Sequence, residues 1–440
     1  MKTIHLMAFV LLSISALSAQ TTDFAKIDSL LQRIEENERG MGSLAIWMDG
    51  ELAYSRAIGY ENVEAAEAAG PETIYGIGSI SKVFTAVIAL RLAEEGQLAL
   101  NTRLSKYFPG LPNADSITVE QLLRHRSGLH NFTDDPDYAT FMEQPQSREQ
   151  LLERFADKGT DFSPGEKMSY SNTGYVILSF LLEEASGKSY QELLDQYILQ
   201  TCGLKRTYLP EEVVGEGKQE ALSYRREDGN WAAAAQTHPS IPIGAGALLS
   251  TPGELTEFMH CLFSGALVSE AHLEEMATMT DGYGLGLTQF PFYDKYAYGH
   301  TGGIDGFSSM VGYFPEEGVG IAYISNGTVM PINDIMIGAL SIVFDKEYEL
   351  PTFAPAIDVE EAQLRQYEGT YGAENFPLDI RVFVEDGMLK AQATGQGAFP
   401  LEAFAEHQFR FEAAGIEIEF LPQEEKMLLR QGGVYELSKK

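Results

Sequence analysis

Ser79 and Lys82 are the first residues in this chain whose types and spacing could do chemistry. An apolar run predicts a helix over 80–94, and side chains three residues apart on a helix point the same way. A neutral lysine amine beside a serine hydroxyl can take its proton and activate the serine as a nucleophile. The helix N-terminus and burial both lower the pKa of the amine, and the helix dipole also stabilises a serine alkoxide. The pair therefore predicts a nucleophile at position 79.

A serine and a lysine at this spacing can also occur by chance. Average residue usage gives a Ser-x-x-Lys sequence about once or twice in a chain of this length. Its ordinary structural explanation is a serine that caps the helix and a lysine that lies in solvent. Further motifs must decide between the two interpretations.

Two further polar groups follow along the chain. Tyr170-Ser171-Asn172 lies where a loop runs into a predicted helix, and His300-Thr301-Gly302-Gly303 ends a predicted strand. Taken singly, these are ordinary structural residues: a half-buried phenol, a helix cap, and a strand end before a turn. Their occurrence together with Ser79 and Lys82, in this chain order, favours an active site.

The three groups resemble the motifs of the serine β-lactamases and penicillin-binding DD-peptidases, which are Ser-x-x-Lys, Tyr-x-Asn and Lys/His-Thr-Gly. The resemblance covers roughly 24–344. It is closest to the branch with a tyrosine in the second motif, which includes class C β-lactamases, DD-carboxypeptidases, family VIII esterases and D-aminopeptidases. It implies a β-lactamase/transpeptidase-like fold and an acyl-enzyme formed on Ser79.

The resemblance also implies how the proton of Ser79 moves. Lys82 and Tyr170 would share that proton and return it to the leaving group, and either of them could be the base. A phenol with an unperturbed pKa of about 10 needs a nearby cation to be held as phenolate, and Lys82 would supply it. Asn172 would orient Lys82 and donate a hydrogen bond to a substrate amide.

The third motif is expected to bind the substrate through His300, Thr301 and Gly302, while the backbone N–H groups of Ser79 and Gly303 form the oxyanion hole. Many β-lactamases carry lysine where this chain has His300, so the site holds less positive charge at neutral pH. Efficient β-lactam hydrolysis is not expected, whereas acyl transfer is. With an unperturbed pKa near 6.5, the imidazole could change charge between about pH 6 and 8; the alternative is a neutral, hydrogen-bonding strand residue.

The remaining chemistry-bearing residues indicate no metal or cofactor. The eight histidines form neither HExxH nor another metal-binding spacing, and His125 and His130 are interpreted as structural. Cys202 and Cys261 are interpreted as core residues, with one disulfide as the alternative in an oxidising compartment.

The elements that position these motifs follow from hydrophobic periodicity. A helix is predicted over 24–36, and two strands over 43–48 and 51–60 join through Asp49-Gly50, a dipeptide typical of tight hairpin turns. The region 105–199 is mostly helical. Four short strands, at 283–289, 296–301, 307–314 and 319–325, precede a closing helix over 332–344. This order predicts an α+β fold in which an antiparallel sheet is assembled from both ends of the region, with a helical subdomain between.

A different pattern follows the proline-containing stretch 350–355. Short alternating strands predict an antiparallel meander that closes into a small barrel. It resembles the lipocalin-like domain often appended to peptidases of this family, and no catalytic residue is expected in it. The predicted division is a signal peptide at 1–19, a catalytic domain at 20–350, and a linker and barrel at 351–440.

Composition and the N-terminal segment restrict the partners and the location. The 31 Lys and Arg residues against 64 Asp and Glu give a formal charge of −33, which repels a phosphate backbone and excludes nucleic acid as a default partner. A positively charged start, a short apolar run and then small residues are typical of a signal peptide, and no later run is long enough to cross a bilayer. The chain is therefore expected to be exported, to the periplasm or beyond.

These observations predict an exported serine hydrolase. The expected acyl donor is a D-amino-acid-containing peptide amide or a small ester. The expected partner is thus a small molecule or a peptide, for which peptidoglycan is one source. A family VIII-type carboxylesterase is the alternative enzyme, and a non-catalytic penicillin-binding sensor is the alternative from another class.

Overall fold

The structure is a computed structural model that describes most of the chain. The predicted signal peptide lies outside the described residues. In the part that is described, no helix is both long and apolar enough to cross a lipid bilayer. The described ranges are 22–213, 219–227, 229–373, 376–411, 414–431 and 433–440.

A six-stranded antiparallel sheet with the order β2-β1-β12-β11-β10-β9 forms the centre of the first part of the chain. Its first two strands come from the start of the chain and pair with strands that follow the helical region, which confirms the predicted α+β architecture. The strands before residue 350 are β1 Gly40–Met48, β2 Glu51–Ile58, β3 Tyr60–Asn62, β4 Glu67–Ala68, β5 Tyr75–Gly76, β6 Tyr224–Glu227, β7 Asn230–Ala233, β8 Leu249–Ser250, β9 Thr288–Phe292, β10 Lys295–Ile304, β11 Phe307–Phe314 and β12 Val319–Thr328.

Helices cover both faces of this sheet. One apolar core joins α1 and α11 to the sheet, and a second, larger core lies on the other face, where α9 packs on the strands and α2 and α5 lie beyond it. The α-helices are α1 Phe24–Glu36, α2 Ser81–Glu94, α3 Val119–Leu123, α4 Arg148–Lys158, α5 Asn172–Ser186, α6 Tyr190–Leu194, α7 Gln200–Cys202, α8 Ile243–Gly246, α9 Pro252–Phe263, α10 Glu270–Ala277, α11 Ile332–Val343 and α12 Glu361–Leu364.

The local elements agree with the sequence where the pattern is strongest. Helix α1 has the predicted bounds and buries a stripe formed by Ile27, Leu30, Leu31 and Ile34. The β1–β2 hairpin turns through Asp49 and Gly50, with φ of 54° and 82° respectively. Such positive φ values are what a tight hairpin turn of this type requires.

Helix α2 is buried on nearly all sides, as its continuous apolar sequence predicts. Most of its residues are buried in the larger core, including the polar Ser81, Lys82 and Thr85. Burying one large apolar side chain stabilises a fold by about 1.5–3 kcal/mol. The helix therefore provides a rigid support for the residues at its N-terminus.

The prediction of a strand over 283–289 is wrong in its bounds. The first late strand is β9, Thr288–Phe292, and the preceding segment is irregular. The apolar residues that suggested a strand, Tyr283, Leu285 and Leu287, are buried as part of a loop packed into the larger core. The buried apolar side chains of this loop alternate along the sequence, and the resulting apolar pattern is the same as that of a strand.

Cys202 and Cys261 are buried, as predicted, but they form a disulfide rather than two separate core thiols. The bond joins α7 to α9 across 59 residues of sequence, with 5.9 Å between the two Cα atoms. Sequence spacing gave no basis for this pairing, because it depends on how two distant helices pack.

The chain after residue 360 forms the predicted barrel, which is closed by eight antiparallel strands around its own apolar core. The barrel strands are β13 Gly369–Ala373, β14 Phe376–Glu385, β15 Met388–Ala393, β16 Phe399–Ala405, β17 Gln408–Phe411, β18 Ile416–Leu421, β19 Lys426–Arg430 and β20 Val434–Lys439.

The segment that connects the sheet region to the barrel packs, at its start, against helix α1 of the sheet region. Lys26 donates a hydrogen bond to the carbonyl oxygen of Tyr348 (2.7 Å), and Arg33 donates one to that of Pro351 (3.0 Å). The aromatic ring of Phe353 packs against the core that contains α1. The structure therefore suggests a boundary slightly later than 350.

Candidate active site

Ser79 lies in a single 3₁₀ turn, Gly78–Ile80, that leads directly into α2. Gly78 has a φ of 50°, and a Cβ atom there would lie 2.7 Å from the backbone nitrogen of Gly303. Only glycine allows this backbone conformation and this close approach without strain. The turn thus places Ser79 against the end of strand β10, where the third motif lies.

Lys82, one turn into the helix, is fully buried beneath Ser79. Its Nζ atom lies 3.0 Å from Ser79 Oγ, 2.8 Å from Asn172 Oδ1 and 2.6 Å from the carbonyl oxygen of Ala245. Burial lowers the pKa of Lys82 well below its usual value because the charged form loses its hydration. The side chain therefore lies where a neutral amine is favoured, in contact with the predicted nucleophile.

Asn172 begins helix α5 and is held from two directions. Its backbone N–H donates to the Asn131 side chain (2.9 Å), and its Nδ2 donates to the hydroxyl of Thr133 (3.1 Å). The amide orientation is assigned from these bonds, and it leaves the carbonyl oxygen to accept from Lys82. Asn172 thus contacts Lys82 as the resemblance implied.

Tyr170 lies beside Ser79 and Lys82 and exposes 36% of its surface at this side of the site. The Lys82 Nζ atom lies 4.9 Å from the centre of its ring. Desolvation raises the pKa of Tyr170, and a hydrogen bond with Ser79 offsets this only in part. The surroundings therefore favour a protonated phenol, in contrast to the phenolate that the sequence comparison suggested.

His300 is buried and its ring is fixed by two partners. Nε2 lies 2.9 Å from the hydroxyl of Tyr283, and Nδ1 bonds to the carbonyl oxygen of Thr301. Because a carbonyl oxygen only accepts, Nδ1 carries the proton and Nε2 accepts from Tyr283. Desolvation, reinforced by Lys82, lowers the pKa of His300 to about 4. Of the two predicted alternatives, the two hydrogen bonds and the lowered pKa favour the neutral, hydrogen-bonding residue.

The glycine of the third motif allows strand β10 to approach the Ser79 turn. A methyl group on Gly302 would overlap the carbonyl oxygen of Ile77 and the hydroxyl of Ser309. Ser309 donates a hydrogen bond to that same carbonyl (2.8 Å), which fixes the turn to the sheet. Thr301 and Gly303 are exposed on this strand end, where a substrate could reach them.

Several contributors to the site were not predicted from the sequence. The Ala245 carbonyl and the Thr133 hydroxyl hold Lys82 and Asn172, while His125 and Tyr283 pack around Tyr170. Nothing in the sequence showed which atoms of these residues face the site. Within the described ranges, no group of three or more His, Cys, Asp or Glu side chains could hold a metal ion.

Comparison with known proteins agrees with this geometry. The model of the family described as Beta-lactamase matches residues 27–336, which is well over half of the chain. The chain belongs to the beta-lactamase family. It is accordingly a serine hydrolase with that family's fold, to which a closed eight-stranded barrel is added at the C-terminal end.

Two relatives show the range of proteins similar to this member of the beta-lactamase family. Penicillin-binding protein 4 of Amycolatopsis lactamdurans is 28% identical, over 76% of this chain and 93% of the relative. Teichoic acid D-alanine hydrolase of Staphylococcus aureus is 31% identical, over 38% of this chain and 40% of the relative.

Solved structures extend the similarity beyond the family match. The octameric penicillin-binding protein homologue from Pyrococcus abyssi has a TM-score of 0.68 at 28% identity, covering 94% of this chain and 100% of that chain. A D-stereospecific amidohydrolase from a Streptomyces species has a TM-score of 0.62 at 25% identity, covering 70% and 95% respectively. The first of these similarities includes the region of the barrel.

Proposed function

We propose that this protein hydrolyses D-amino-acid-containing amides or esters through an acyl-enzyme on Ser79, with neutral Lys82 as the base. The observation that carries the proposal is the contact set of Lys82 Nζ. A neutral amine has two N–H donors and one lone pair, and Asn172 Oδ1 and the Ala245 carbonyl can only accept. With both donors used there, the lone pair is left for the hydroxyl proton of Ser79, at 3.0 Å.

Acylation then follows from the positions of the groups. Lys82 takes the proton of Ser79 as Oγ attacks the substrate carbonyl carbon, which breaks the carbonyl π bond and places a negative charge on its oxygen. The backbone N–H groups of Ser79 and Gly303 stabilise that oxyanion, because the Ser79 turn lies directly against the Gly303 backbone. No ionised side chain is needed at this step.

Tyr170 completes the proton path to the leaving group. As a protonated phenol beside Ser79 and Lys82, it can donate its proton to the departing amine or alcohol while Lys82 returns the transferred proton to the phenol. The C–N or C–O bond of the substrate breaks and the Ser79 ester remains. Water then attacks this ester and gives its proton to the same pair. The bond between the acyl carbon and Ser79 Oγ breaks, and the pair returns the proton to Oγ, which releases the free acid and restores Ser79.

The relatives and the third motif support the substrate class. One similar protein is a teichoic acid D-alanine hydrolase and another is a D-stereospecific amidohydrolase. Neutral His300 does not provide the fixed cation that lysine would provide at this position for a substrate carboxylate. This favours D-aminoacyl amides and esters over β-lactams. It also keeps a carboxylesterase as the second candidate function.

A non-catalytic penicillin-binding sensor is less well supported. A sensor needs only a binding surface, whereas here Lys82 is buried in contact with Ser79 and Asn172. Burying an amine without a function is costly. The proposal therefore assigns turnover as well as binding.

Export remains part of the proposal. The N-terminal segment has the pattern of a signal peptide. The bond between Cys202 and Cys261 adds independent support, because disulfides persist mainly in oxidising compartments. We expect the protein in the periplasm or outside the cell, where D-alanyl groups of the cell envelope are accessible. N-terminal sequencing of protein recovered from outside the cytoplasm would test this.

The deciding experiment is active-site labelling with a fluorophosphonate or penicillin probe, followed by peptide mapping. We expect one labelled residue, Ser79, with no labelling in Ser79→Ala. Ser81→Ala is the matched control, since Ser81 is buried and bonds only to the Gly78 carbonyl and the Leu248 N–H within the described ranges; it should still label. Labelling that persists in Ser79→Ala would exclude the proposed nucleophile.

Substrate preference is measured on paired D- and L-alanine amides and on matched neutral esters. Faster turnover of the D-amide than the L-amide supports the proposed substrate class. Turnover of the neutral esters alone would favour the carboxylesterase.

A further inference from the structure

His125 lies next to the proposed catalytic tyrosine and has no role in the steps described above. It exposes 1% of its surface, and its backbone is in the left-handed region, with φ of 55°. A histidine tolerates this region better than most side chains, but the conformation still costs free energy. This φ is that of the residue that ends helix α3, where the Arg126 N–H donates to the Gln121 carbonyl (2.7 Å), so it needs no functional explanation. The buried imidazole beside the active site does call for one.

The backbone and ring of His125 hold the residues on either side of Tyr170. Its carbonyl oxygen accepts from the N–H of Ser169 (2.9 Å), and its Nδ1 accepts from the N–H of Ser171 (3.1 Å). These two bonds flank Tyr170 along the chain. They fix the backbone that carries the phenol, although His125 itself comes from a loop 45 residues earlier.

The imidazole also contacts the phenol ring directly. The centres of the His125 and Tyr170 rings are 4.1 Å apart, at an angle of 32° between the planes. Tyr283 packs edge-on against the same imidazole, at 4.6 Å, and Tyr175 lies at 5.0 Å. A ring enclosed in this way cannot rotate freely, so it presents a fixed surface to Tyr170.

The hydrogen bonds of His125 also determine its tautomer and its protonation state. Because Nδ1 accepts a backbone N–H, it carries no proton, and the proton of the neutral ring is on Nε2. Within the described ranges, Nε2 is buried without a hydrogen-bond partner. Protonation of Nδ1 would break the bond to Ser171, so the bond and the neutral imidazole are retained together.

We infer that His125 is a positioning residue that holds the Tyr170 hydroxyl in line with Ser79 and Lys82. The inference rests on the proposed function, since it assigns the role through Tyr170. A ring that serves only as core packing would stabilise the fold without a special relation to this phenol. If His125 acts by positioning the Tyr170 hydroxyl, substituting His125 must lower kcat only in a chain that still has this hydroxyl.

A double-mutant cycle tests this distinction. His125→Asn removes the ring, tolerates positive φ and keeps a side-chain acceptor. In the parent chain we expect kcat on a D-aminoacyl amide to fall about 10- to 100-fold with KM changed less than threefold. In Tyr170→Phe, the same substitution should change kcat less than threefold. Equal losses in both backgrounds would overturn the inference and leave His125 as core packing.

Two further variants separate folding from positioning. His260→Asn is the control, because His260 also stacks on an aromatic ring, that of Trp47 at 5.0 Å, but lies on α9 outside the Tyr170 cluster; it should leave kcat unchanged. If His125→Asn does not fold, His125→Phe keeps an aromatic contact and removes the Nδ1 acceptor. The same cycle then applies to it, with the same result required.

A spectroscopic measurement makes the test independent of turnover. With 3-fluorotyrosine placed at position 170, we expect one narrow ¹⁹F resonance in the parent chain and in His260→Asn. In a folded His125→Asn chain we expect a broadened or divided resonance. An unchanged narrow line would overturn the positioning role even if the proposed reaction were absent. Conversely, an altered line in a protein that never labels would reject the proposed function alone.

Discussion

At the scale of single residues, burial determines the charge of the groups around Ser79. Lys82, His125 and His300 are all basic, and the pKa of each is lowered by desolvation. Tyr170 is shifted the other way, towards the protonated phenol. The site at neutral pH is therefore a nearly uncharged set of hydrogen-bonding groups. Protons can move within it without large changes in solvation.

Tyr170→Phe tests the proton path. The substitution keeps the ring that packs on His125 and removes the hydroxyl that bonds to Ser79. We expect kcat to fall by about 10² to 10⁴, the usual contribution of a general acid–base group, with a smaller change in KM. Steady-state kinetics on a D-aminoacyl amide is the measurement. A variant with near-normal kcat would show that Lys82 serves both halves of the reaction.

His300→Gln tests the neutral state of the third-motif imidazole. Its pKa is about 4 in the folded protein, below the usual 6.5, so the unfolded chain takes up the proton first. The stabilisation is therefore fully present above pH 6.5 and is lost as the pH falls through 6.5 towards 4. The difference between the folded and unfolded pKa values corresponds to about 3 kcal/mol of unfolding free energy at most.

Urea unfolding of the parent and His300→Gln chains across pH 4–7 is the measurement. The free energy of unfolding should fall less in the variant, because the other titrating groups are shared by both proteins. Parallel curves would show that His300 has no lowered pKa.

At the scale of elements, glycines decide how closely the third-motif strand and the Ser79 turn approach. Gly78 and Gly302 lie on the two sides of this contact, and each would meet the opposite backbone if it carried a side chain. Strand β10 and the 3₁₀ turn before α2 are thereby locked together through backbone atoms. The proposed oxyanion hole would be a product of this packing rather than of any one side chain.

Gly302→Ala tests the closeness of these two elements. Its methyl group would displace the Ile77 carbonyl, so we expect at least a tenfold loss in labelling rate and roughly 1–3 kcal/mol of destabilisation. Gly312→Ala on the neighbouring strand is the matched control, because its Cβ would lie 3.4 Å from Ala297 Cβ, an ordinary contact. Equal labelling rates in the two variants would show that the close approach is not needed.

At the scale of the whole molecule, the barrel and the sheet region have separate apolar cores. All residues of the three motifs lie before the connecting segment, in the part of the chain that contains the six-stranded sheet. The connecting segment packs on α1 up to Phe353, whereas the next carbonyl, that of Ala354, accepts from Arg410 in the barrel (2.8 Å). The connecting segment therefore changes its packing partner at 353–354, and the predicted division at 350 stays a prediction.

A chain that ends at Phe353 tests the independence of the chemistry. Because it keeps the bonds of Lys26 and Arg33 to the connecting segment, we expect it to fold and to acylate on Ser79. Circular dichroism and probe labelling are the measurements, with the full chain and its Ser79→Ala variant as references. A well-folded truncated chain without labelling would mean that the barrel completes the site.

The sequence by itself determined the features that depend on local spacing. The helix at 24–36, the hairpin around Asp49-Gly50 and the buried helix after Ser79 follow from periodicity and turn chemistry, and the structure confirms them. The family also followed from three motifs in order, and the family match confirms it. Catalytic roles for the motif residues remain predictions.

Tertiary structure alone decided the contacts between distant parts of the chain and the charges that result from them. Lys82 meets Asn172 and the Ala245 carbonyl across 90 and 163 residues, and Cys202 bonds to Cys261 across 59. The sequence suggested a phenolate at Tyr170 and left His300 either titrating or neutral, because residue types carry only unperturbed pKa values. Desolvation by residues far away in the chain favours the protonated phenol and the neutral imidazole, and it becomes known only once the packing is known.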